Sequence, residues 1–208
     1  MKGRTMRFAL LKYEGYTLAI LGAMLSKGRV NYDTLIHAAN GDIPKDLQDR
    51  SEKLAPKLAC ADGGHNKLLE QLQYWLAIDA PLYFWKQLDT YRIGVSKSSE
   101  STMFRMWKNG LTKDDFENPD TIYTETLEKL NKDINDFNNN PSQDKFMSII
   151  SNLPDGFLQT RLVNINAKSL RNIYFQRKDH KLTEWRKMCG FIETLPYSHL
   201  ITAGKERE

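Results

Sequence analysis

The stretch Gln71–Ala80, Q-L-Q-Y-W-L-A-I-D-A, decides the fold because its apolar and polar residues alternate. A period of two is typical of a half-buried β-strand. The apolar face consists of Leu72, Tyr74, Leu76 and Ile78, and the polar face of Gln71, Gln73 and Asp79. The sequence therefore predicts a strand that packs one face against a core and turns the other toward water.

The residues that follow this strand change to a helical period. Pro81 fits the first position of a helix, where its missing N–H group costs nothing. Phe84, Leu88 and Tyr91 then recur at i, i+4 and i+7, so they share one face of a helix. The sequence thus predicts a helix directly after the strand.

A second strand is predicted in the last third of the chain. The stretch Arg161–Asn166, R-L-V-N-I-N, alternates apolar Val163 and Ile165 with polar Asn164 and Asn166. This alternation again indicates a strand with one face buried. A helical pattern follows it, so the two segments share the plan of a strand leading into a helix.

The second predicted helix carries an arginine on its buried face. Leu170, Ile173 and Tyr174 form the inward stripe, and the next position on that stripe is Arg177. A buried charge needs a partner anion or an opening to solvent. Arg177 is therefore a candidate ligand contact, although a side chain that extends its charged end into water fits the pattern equally well.

The other segments predict a single domain over residues 1–208. Residues 1–60 have a loosely helical pattern. A further helix is predicted by one apolar stripe, formed by Leu127, Leu130, Ile134 and Phe137. Neither an internal repeat nor a domain linker is visible, and 208 residues are enough to bury a sizeable core.

Composition limits the classes of function and of location. The net charge of +4 suits a phosphate-bearing partner but is too small to predict duplex binding. The two cysteines, Cys60 and Cys189, are far apart and form no CxxC motif, which favours a reducing compartment. The apolar run Tyr16–Leu25 is too short to span a bilayer. We therefore expect a cytoplasmic protein without a membrane segment.

Two arginines and one polar loop suggest a binding pocket. Arg92 and Arg177 each end a predicted helix, and a loop rich in serine begins at Gly94 and contains Glu100. Arginine side chains and hydroxyl groups together favour a phosphorylated small molecule. An ordinary solvated loop remains the alternative interpretation.

Three blocks of this sequence resemble the flavin-dependent thymidylate synthases. Gly64–Gln71, G-H-N-K-L-L-E-Q, is similar to the family's G-H-x3-[LF]-E-H. Ala80–Arg92 resembles A-P-x4-R-Q-W-x-R-H-R without a gap and leads into a loop like S-x-N-E-x-S. Leu153-Pro154, then Asn166–Asn172 and Arg177, match L-P and N-A-R-S-L-x-N-x4-R. The blocks occur in the family's order and cover most of the chain.

The resemblance implies an α+β fold with a mostly antiparallel central sheet flanked by helices. It also implies a homotetramer with active sites at subunit interfaces. In that family a flavin, FAD, is reduced by NADPH and provides the hydride for methylation of dUMP. Methylenetetrahydrofolate supplies the one-carbon unit. Such chemistry needs no protein nucleophile and no metal.

The resemblance divides the site residues into two groups. Those implied to bind the pyrimidine deoxynucleotide are Gln87, Glu100, Ser101, Thr102 and Arg177. Those implied to lie along the flavin are Gln71, Tyr91, Arg92, Asn166, Lys168 and Asn172. His65 and Glu70, from the first block, are expected to shape the site, although a structural histidine with satisfied hydrogen bonds is the favoured interpretation of His65.

The sequence also departs from the family pattern, which leaves two functional hypotheses open. The family's R-H-R triplet reads Thr90-Tyr91-Arg92, and the arginine expected four residues before the L-P proline is Ile150. Stacking by Tyr91, or a cation from Arg105 or Arg161, could substitute for the lost groups. The first hypothesis is a divergent enzyme, of a kind that would suit a phage or mobile element. The second is a non-catalytic member that binds a nucleotide but has lost flavin chemistry.

A nucleic-acid-binding protein is the least favoured function. The basic residues that suggest it are Arg171, Arg177, Lys178, Lys181, Arg186 and Lys187. These charges scatter around the predicted helix and do not form one stripe, which argues against a nucleic-acid interface.

Overall fold

A computed structural model describes residues 5–61, 64–102, 104, 106 and 110–204 of the chain. The chain forms two compact units. The first comprises Met1–Ala9, Ala77–Tyr91 and Lys97–Leu162, and the second comprises Leu10–Leu76, Arg92–Ser96 and Val163–Glu208.

Four strands of the described residues form one antiparallel sheet with the order β1-β2-β4-β3. The strands are β1 (Arg7–Glu14), β2 (Gln73–Pro81), β3 (Val95–Ser99) and β4 (Leu158–Asn166). The predicted α+β class with a mostly antiparallel sheet is therefore confirmed.

The helices of the described residues account for most of the other regular structure. Before β3 they are α1 (Tyr16–Leu25), α2 (Tyr32–Ala39), α3 (Lys45–Cys60), α4 (Leu68–Gln71) and α5 (Leu82–Leu88). After β3 they are α6 (Thr124–Asn139), α7 (Gln143–Asn152), α8 (Ala167–Arg177), α9 (Thr183–Glu193) and α10 (Ser198–Thr202). Within the described ranges, no helix is both long and apolar enough to cross a membrane.

Strand β2 has the predicted alternation, with one difference at its end. Tyr74, Leu76 and Ile78 are fully buried, as the period of two predicts. Asp79, predicted to face water, is only 3% exposed. It accepts hydrogen bonds from Arg7 Nε at 3.3 Å and from the Thr160 hydroxyl at 3.2 Å. A buried carboxylate is tolerated here because these donors replace water.

Helix α5 follows β2 as predicted but is shorter. Pro81 is its N-cap, with φ of −68°, so the helix begins one residue later, at Leu82. Phe84 and Leu88 are buried. The helix ends at Leu88, so the prediction that Tyr91 lies on its face is wrong.

Strand β4 and helix α8 confirm the second strand-helix pair. Val163 and Ile165 are buried on one face of the strand. Asn166 was predicted on the polar face but is 6% exposed, because it caps α8. Its side-chain oxygen accepts from the Ser169 N–H at 2.8 Å, which satisfies a helix N-terminus.

The edge strands correct two sequence predictions. Residues 1–60 were predicted to be helical, yet Arg7–Glu14 forms strand β1. The loop predicted from Gly94 contains strand β3, Val95–Ser99. Neither strand contains a buried residue. The alternation of buried apolar and exposed polar residues that predicts an inner strand is therefore absent from both.

Each unit has its own apolar cluster. In the first unit the buried residues are Met106, Leu111, Phe116, Leu127, Leu130, Ile134, Ile149 and Phe157. In the second they include Leu21, Met24, Val30, Ala38 and Leu47. The stripe predicted on α6 is confirmed, because Leu127, Leu130 and Ile134 lie in the first cluster and Phe137 packs against it.

Candidate functional site

The first unit holds the loop predicted to bind a nucleotide against strand β4. The backbone N–H of Glu100 donates to the Thr160 carbonyl at 3.0 Å. The Thr160 N–H in turn donates to Glu100 Oε1 at 2.9 Å. Glu100 is therefore fixed through both its main chain and its carboxylate, which orders the loop before any ligand arrives.

The other predicted nucleotide residues of this unit lie at or near its surface. Ser101 is exposed and its hydroxyl oxygen accepts from the Phe104 N–H at 3.4 Å. Thr102 is half-buried. Gln87, near the end of α5, is also half-buried, and its carbonyl accepts from the Thr90 N–H at 3.2 Å and from the Thr90 hydroxyl at 2.7 Å.

A charged cluster stands beside this loop in the same unit. Arg161 Nη1 donates to both carboxylate oxygens of Asp89, at 3.0 and 3.1 Å. Lys97 Nζ lies 3.0 Å from the same carboxylate. Burial alone would raise the pKa of Asp89, but the hydrogen bonds from Lys97 and Arg161 lower it below its usual value. Asp89 therefore stays ionised and holds two cations in place.

In the second unit, Asn166 is held between a helix and a glycine turn. Its backbone N–H donates to the Gly94 carbonyl at 3.0 Å. Gly94 has a φ of +66°, and a Cβ atom added there would lie 2.1 Å from Asn166 Nδ2. The Ser169 hydroxyl donates to the Ile93 carbonyl at 2.5 Å. This turn therefore needs glycine both for its backbone angles and for its closeness to Asn166.

The remaining predicted flavin residues of this unit are more accessible. Lys168 pairs with Glu70, so the first and third sequence blocks meet through this ion pair. Asn172 lies one turn after Lys168 on α8 and is exposed, and Gln71 and Arg92 are exposed as well. Tyr91, which belongs to the first unit, is half-buried and lies beyond the end of α5.

A cavity of about 480 Å³ lies in the second unit next to Gln71. Its apolar lining comes from small and aliphatic residues, among them Ala19, Gly22, Ala23, Leu54, Leu58 and Leu68. Its polar lining includes Lys27, His65, Lys67 and Gln71. The volume is within the range of small-molecule sites, and the two lysines favour an anionic group.

Arg177 lies in a basic part of the second unit. Its guanidinium stacks over the Trp185 ring, 4.8 Å from the centroid, which explains how the inward stripe of α8 tolerates a charge. The pKa of the nearby His180 is lowered, first by burial and then by the positive charges of Arg177, Lys181 and Arg186. A neutral histidine among cations indicates a positive potential suited to an anion.

The thiol of Cys189 is not an activated nucleophile. Burial first, and then Glu193 and Asp179, raise the pKa of the Cys189 thiol to about 11, so it stays protonated at neutral pH. Both cysteines are free thiols. In the part of the chain that the structure describes, no group of His, Cys, Asp or Glu residues could hold a metal ion.

The structure shows what two further arginines contact, and the sequence had not indicated the contacts of Arg171. Arg171 is 7% exposed and donates to the Leu200 and Ile201 carbonyls at 3.3 and 3.0 Å, which attaches α10 to α8. Arg161, predicted as a substitute for the lost cation, is half-buried, and its guanidinium pairs with Asp89. Arg105, a possible replacement for the family's lost cation, lies outside the described residues.

Solved structures with a similar architecture include a flavin-dependent thymidylate synthase and a UMP/dUMP methylase. The flavin-dependent thymidylate synthase ThyX from Helicobacter pylori, complexed with FAD and dUMP, is 16% identical with a TM-score of 0.70. The match covers 93% of this chain and 96% of that chain. The UMP/dUMP methylase PolB from Streptomyces cacaoi, bound with 5-Br dUMP, is 14% identical with a TM-score of 0.65 and 97% coverage of both chains. At these identities the likeness establishes the fold.

The sequence itself matches one protein family over most of its length. No curated protein sequence matches the chain. Residues 19–195 match the family described as thymidylate synthase complementing protein, Thy1. This range contains all three motif blocks and the whole polar loop around Glu100. The chain therefore belongs to the thymidylate synthase complementing protein family.

Proposed function

We propose that this protein is a flavin-dependent thymidylate synthase-like enzyme that reductively methylates dUMP or a related pyrimidine deoxynucleotide. The observation that carries the proposal is the polar loop at Glu100, which is already ordered by strand β4 in a chain of this family. The fold is shared with enzymes whose structures contain dUMP or 5-Br dUMP. We further propose a cytoplasmic homotetramer with its sites at subunit interfaces.

The nucleotide is bound in this proposal by Gln87, Glu100, Ser101, Thr102 and Arg177. The loop residues offer hydroxyl and carboxylate groups, which match the polar edge of a pyrimidine nucleotide. Arg177 offers a guanidinium that is suited to the phosphate, and the charges of Arg177, Lys181 and Arg186 contribute, after burial, to the lowered pKa of His180.

The residues of the second unit fit a flavin cofactor in part. The 480 Å³ cavity combines an apolar lining with Lys27 and Lys67, which suits a phosphate-bearing aromatic molecule. Gln71 lines this cavity, whereas Asn166, Lys168, Asn172, Tyr91 and Arg92 are proposed to bind other parts of FAD. When bound and reduced by NADPH, flavin supplies the hydride that completes the methyl group. Methylenetetrahydrofolate is the proposed one-carbon donor.

The visible absorption spectrum tests the flavin part of the proposal. Purified protein is incubated with FAD and desalted, and its spectrum is compared with that of a Lys67→Glu variant treated identically. We expect a retained flavin band in the parent protein and a weaker one in the variant, because the new carboxylate repels the FAD phosphates. A colourless parent protein would overturn this part of the proposal.

One observation favours the non-catalytic alternative, in which the protein binds a nucleotide without flavin. The R-H-R triplet of the family reads Thr90-Tyr91-Arg92 here, so one cation and one imidazole are absent from the sequence. A thermal-shift assay separates the two functions, since any ligand that binds the folded state raises the Tm. A rise with dUMP but not with FAD would support the alternative.

A further inference from the structure

The side chain of Gln159 connects strand β4 to the candidate nucleotide loop. Gln159 is 7% exposed. Its Nε2 atom donates to the Glu100 carbonyl at 3.1 Å and to the Thr102 hydroxyl oxygen at 3.0 Å. A buried amide that bonds both ends of a three-residue loop fixes the position of that loop.

The orientation of this amide is set by neighbouring groups of the same unit. Arg161 Nε donates to Gln159 Oε1 at 2.9 Å, so the amide oxygen must face Arg161 and the NH₂ group must face the loop. Arg161 is itself held by Asp89 and stacks 4.3 Å from the Trp85 ring centroid. The Trp85 indole N–H also donates to the Gln159 backbone carbonyl at 2.9 Å.

This orientation determines what the Thr102 hydroxyl can do. In its bond with Gln159 the Thr102 oxygen is the acceptor, because the amide NH₂ group is a donor. The hydroxyl hydrogen of Thr102 is therefore directed to a different acceptor. An acceptor on a bound nucleotide, such as a carbonyl or a phosphate oxygen, matches this geometry.

We propose that Gln159 is a positioning residue that makes the Thr102 hydroxyl a donor to the bound pyrimidine nucleotide. This inference rests on the proposed function of the Glu100 loop. It adds a residue that none of the three sequence blocks indicated, and it gives Arg161 and Trp85 the role of orienting the Gln159 amide.

The first test reverses the hydrogen bond with Thr102 and removes the bond to the Glu100 carbonyl, while the size of the side chain is kept. Gln159→Glu keeps the size of the side chain and its acceptor toward Arg161, but the new carboxylate accepts from Thr102 instead of donating. The Thr102 hydrogen then turns inward. We expect the Kd for dUMP, measured by calorimetry, to rise about tenfold. The matched control is Gln143→Glu, at the exposed start of α7, which should change the Kd less than about twofold.

A second set of variants separates positioning from general loss of structure. Thr102→Val removes the hydroxyl and should weaken dUMP binding about tenfold, whereas Thr102→Ser should restore it to within about twofold. Combining Gln159→Glu with Thr102→Val should cost no more than Gln159→Glu alone, because Thr102→Val removes a donor that Gln159→Glu has already turned away from the nucleotide. Additive losses, or a Gln159→Glu variant with the parent affinity, would overturn the inference.

Hydrogen exchange distinguishes failure of this inference from failure of the proposed function. Backbone amides of residues 95–102 should exchange faster in Gln159→Glu than in the parent, with no ligand present. If the parent binds no dUMP, the proposed function fails and the role in nucleotide binding fails with it. If the parent binds dUMP but exchange and affinity are unchanged in the variant, the inference about Gln159 alone is wrong.

Discussion

The two candidate regions of this protein differ in how their polar groups are held. In the first unit, Glu100 and Thr102 are fixed by hydrogen bonds from Thr160 and Gln159. In the second unit, Arg92 and Asn172 are exposed, and Lys168 is held by an ion pair with Glu70 that is itself partly exposed. Polar groups that are already ordered lower the entropy cost of binding, whereas exposed side chains must be immobilised when the ligand binds.

This difference agrees with the departures in the sequence. The residues assigned to the nucleotide have the types that the family resemblance implies. Among those assigned to the flavin, the first arginine and the histidine of the R-H-R triplet are replaced, and only Arg92 is kept. We therefore expect the nucleotide to bind more strongly than the flavin when each is measured alone. Four predictions test this contrast, beginning with the change of largest effect.

Gly94→Ala should damage the second unit most severely. The new methyl group would meet the side chain of Asn166, and alanine at a φ of +66° is strained. We expect the free energy of unfolding to fall by about 2–4 kcal/mol, measured by urea denaturation.

Gly28→Ala is the matched control for this change. Gly28 has a similar φ of +63°, but a Cβ atom there would have no neighbour within 4 Å. Backbone strain alone should cost about 1 kcal/mol. Equal losses in the two variants would show that the contact with Asn166 contributes nothing.

Arg177→Ala should nearly abolish nucleotide binding and leave the fold intact. Loss of a charge-assisted bond to the phosphate is expected to weaken dUMP binding about 10- to 100-fold, measured by calorimetry. Loss of the contact with Trp185 should cost only about 0.5–1 kcal/mol of stability.

Lys178→Ala is the control for Arg177, because it removes a neighbouring exposed charge. Its effect on dUMP affinity should stay within about threefold. If Arg177→Ala binds dUMP as tightly as the parent does, Arg177 does not contact the phosphate.

Asp89→Asn should lower stability at neutral pH by about 0.5–1 kcal/mol. The pKa of Asp89 is lowered in the folded state, so its contribution is complete above its ordinary value of 3.8 and is lost as the pH falls below it. The stability difference between parent and variant should therefore shrink in acid.

Urea midpoints at several pH values measure this effect. Asp155→Asn is a suitable control, since Asp155 pairs with the exposed Lys86 and should contribute less. A difference between parent and Asp89→Asn that is constant down to strongly acid pH would contradict the role of Asp89 as an ionised anchor.

The smallest expected effect is a shift in the titration of His180. Its pKa is lowered in the unliganded protein, in part by the charge of Arg177. A phosphate bound at Arg177 would offset that charge, so saturating dUMP should raise the pKa, measured by NMR. An unchanged or lower pKa would place the phosphate elsewhere.

The sequence predicted the inner strands of the sheet and missed both edges. Buried residues recur at every second position in part of β2 and of β4, so Tyr74, Ile78 and Val163 revealed these strands through the period of two. Strands β1 and β3 bury none of their residues, and V-S-K-S-S has the composition of a loop. Hydrogen bonds between the backbone of an edge strand and its neighbouring strand stabilise it. The local sequence pattern does not show which segments form such bonds.

The candidate site was predictable only where a motif marked it. The inward stripe of the helix indicated Arg177 and the polar loop contained Glu100, and the resemblance assigned both to the nucleotide. These assignments stay predictions. Gln159 was missed because its role depends on contact with Glu100, 59 residues earlier in the chain. Asn166 was assigned to the flavin, and the structure shows that its side-chain oxygen also caps α8.

Mass spectrometry of the nucleotide is the most direct test of the proposed reaction. Protein is incubated with dUMP, FAD, NADPH and methylenetetrahydrofolate. The nucleotide is then recovered and its mass is measured. The account predicts a product that is heavier than dUMP by one CH₂ group and that does not form when FAD is omitted. Recovery of unchanged dUMP from a protein that binds it would contradict the enzymatic function and favour a nucleotide-binding protein.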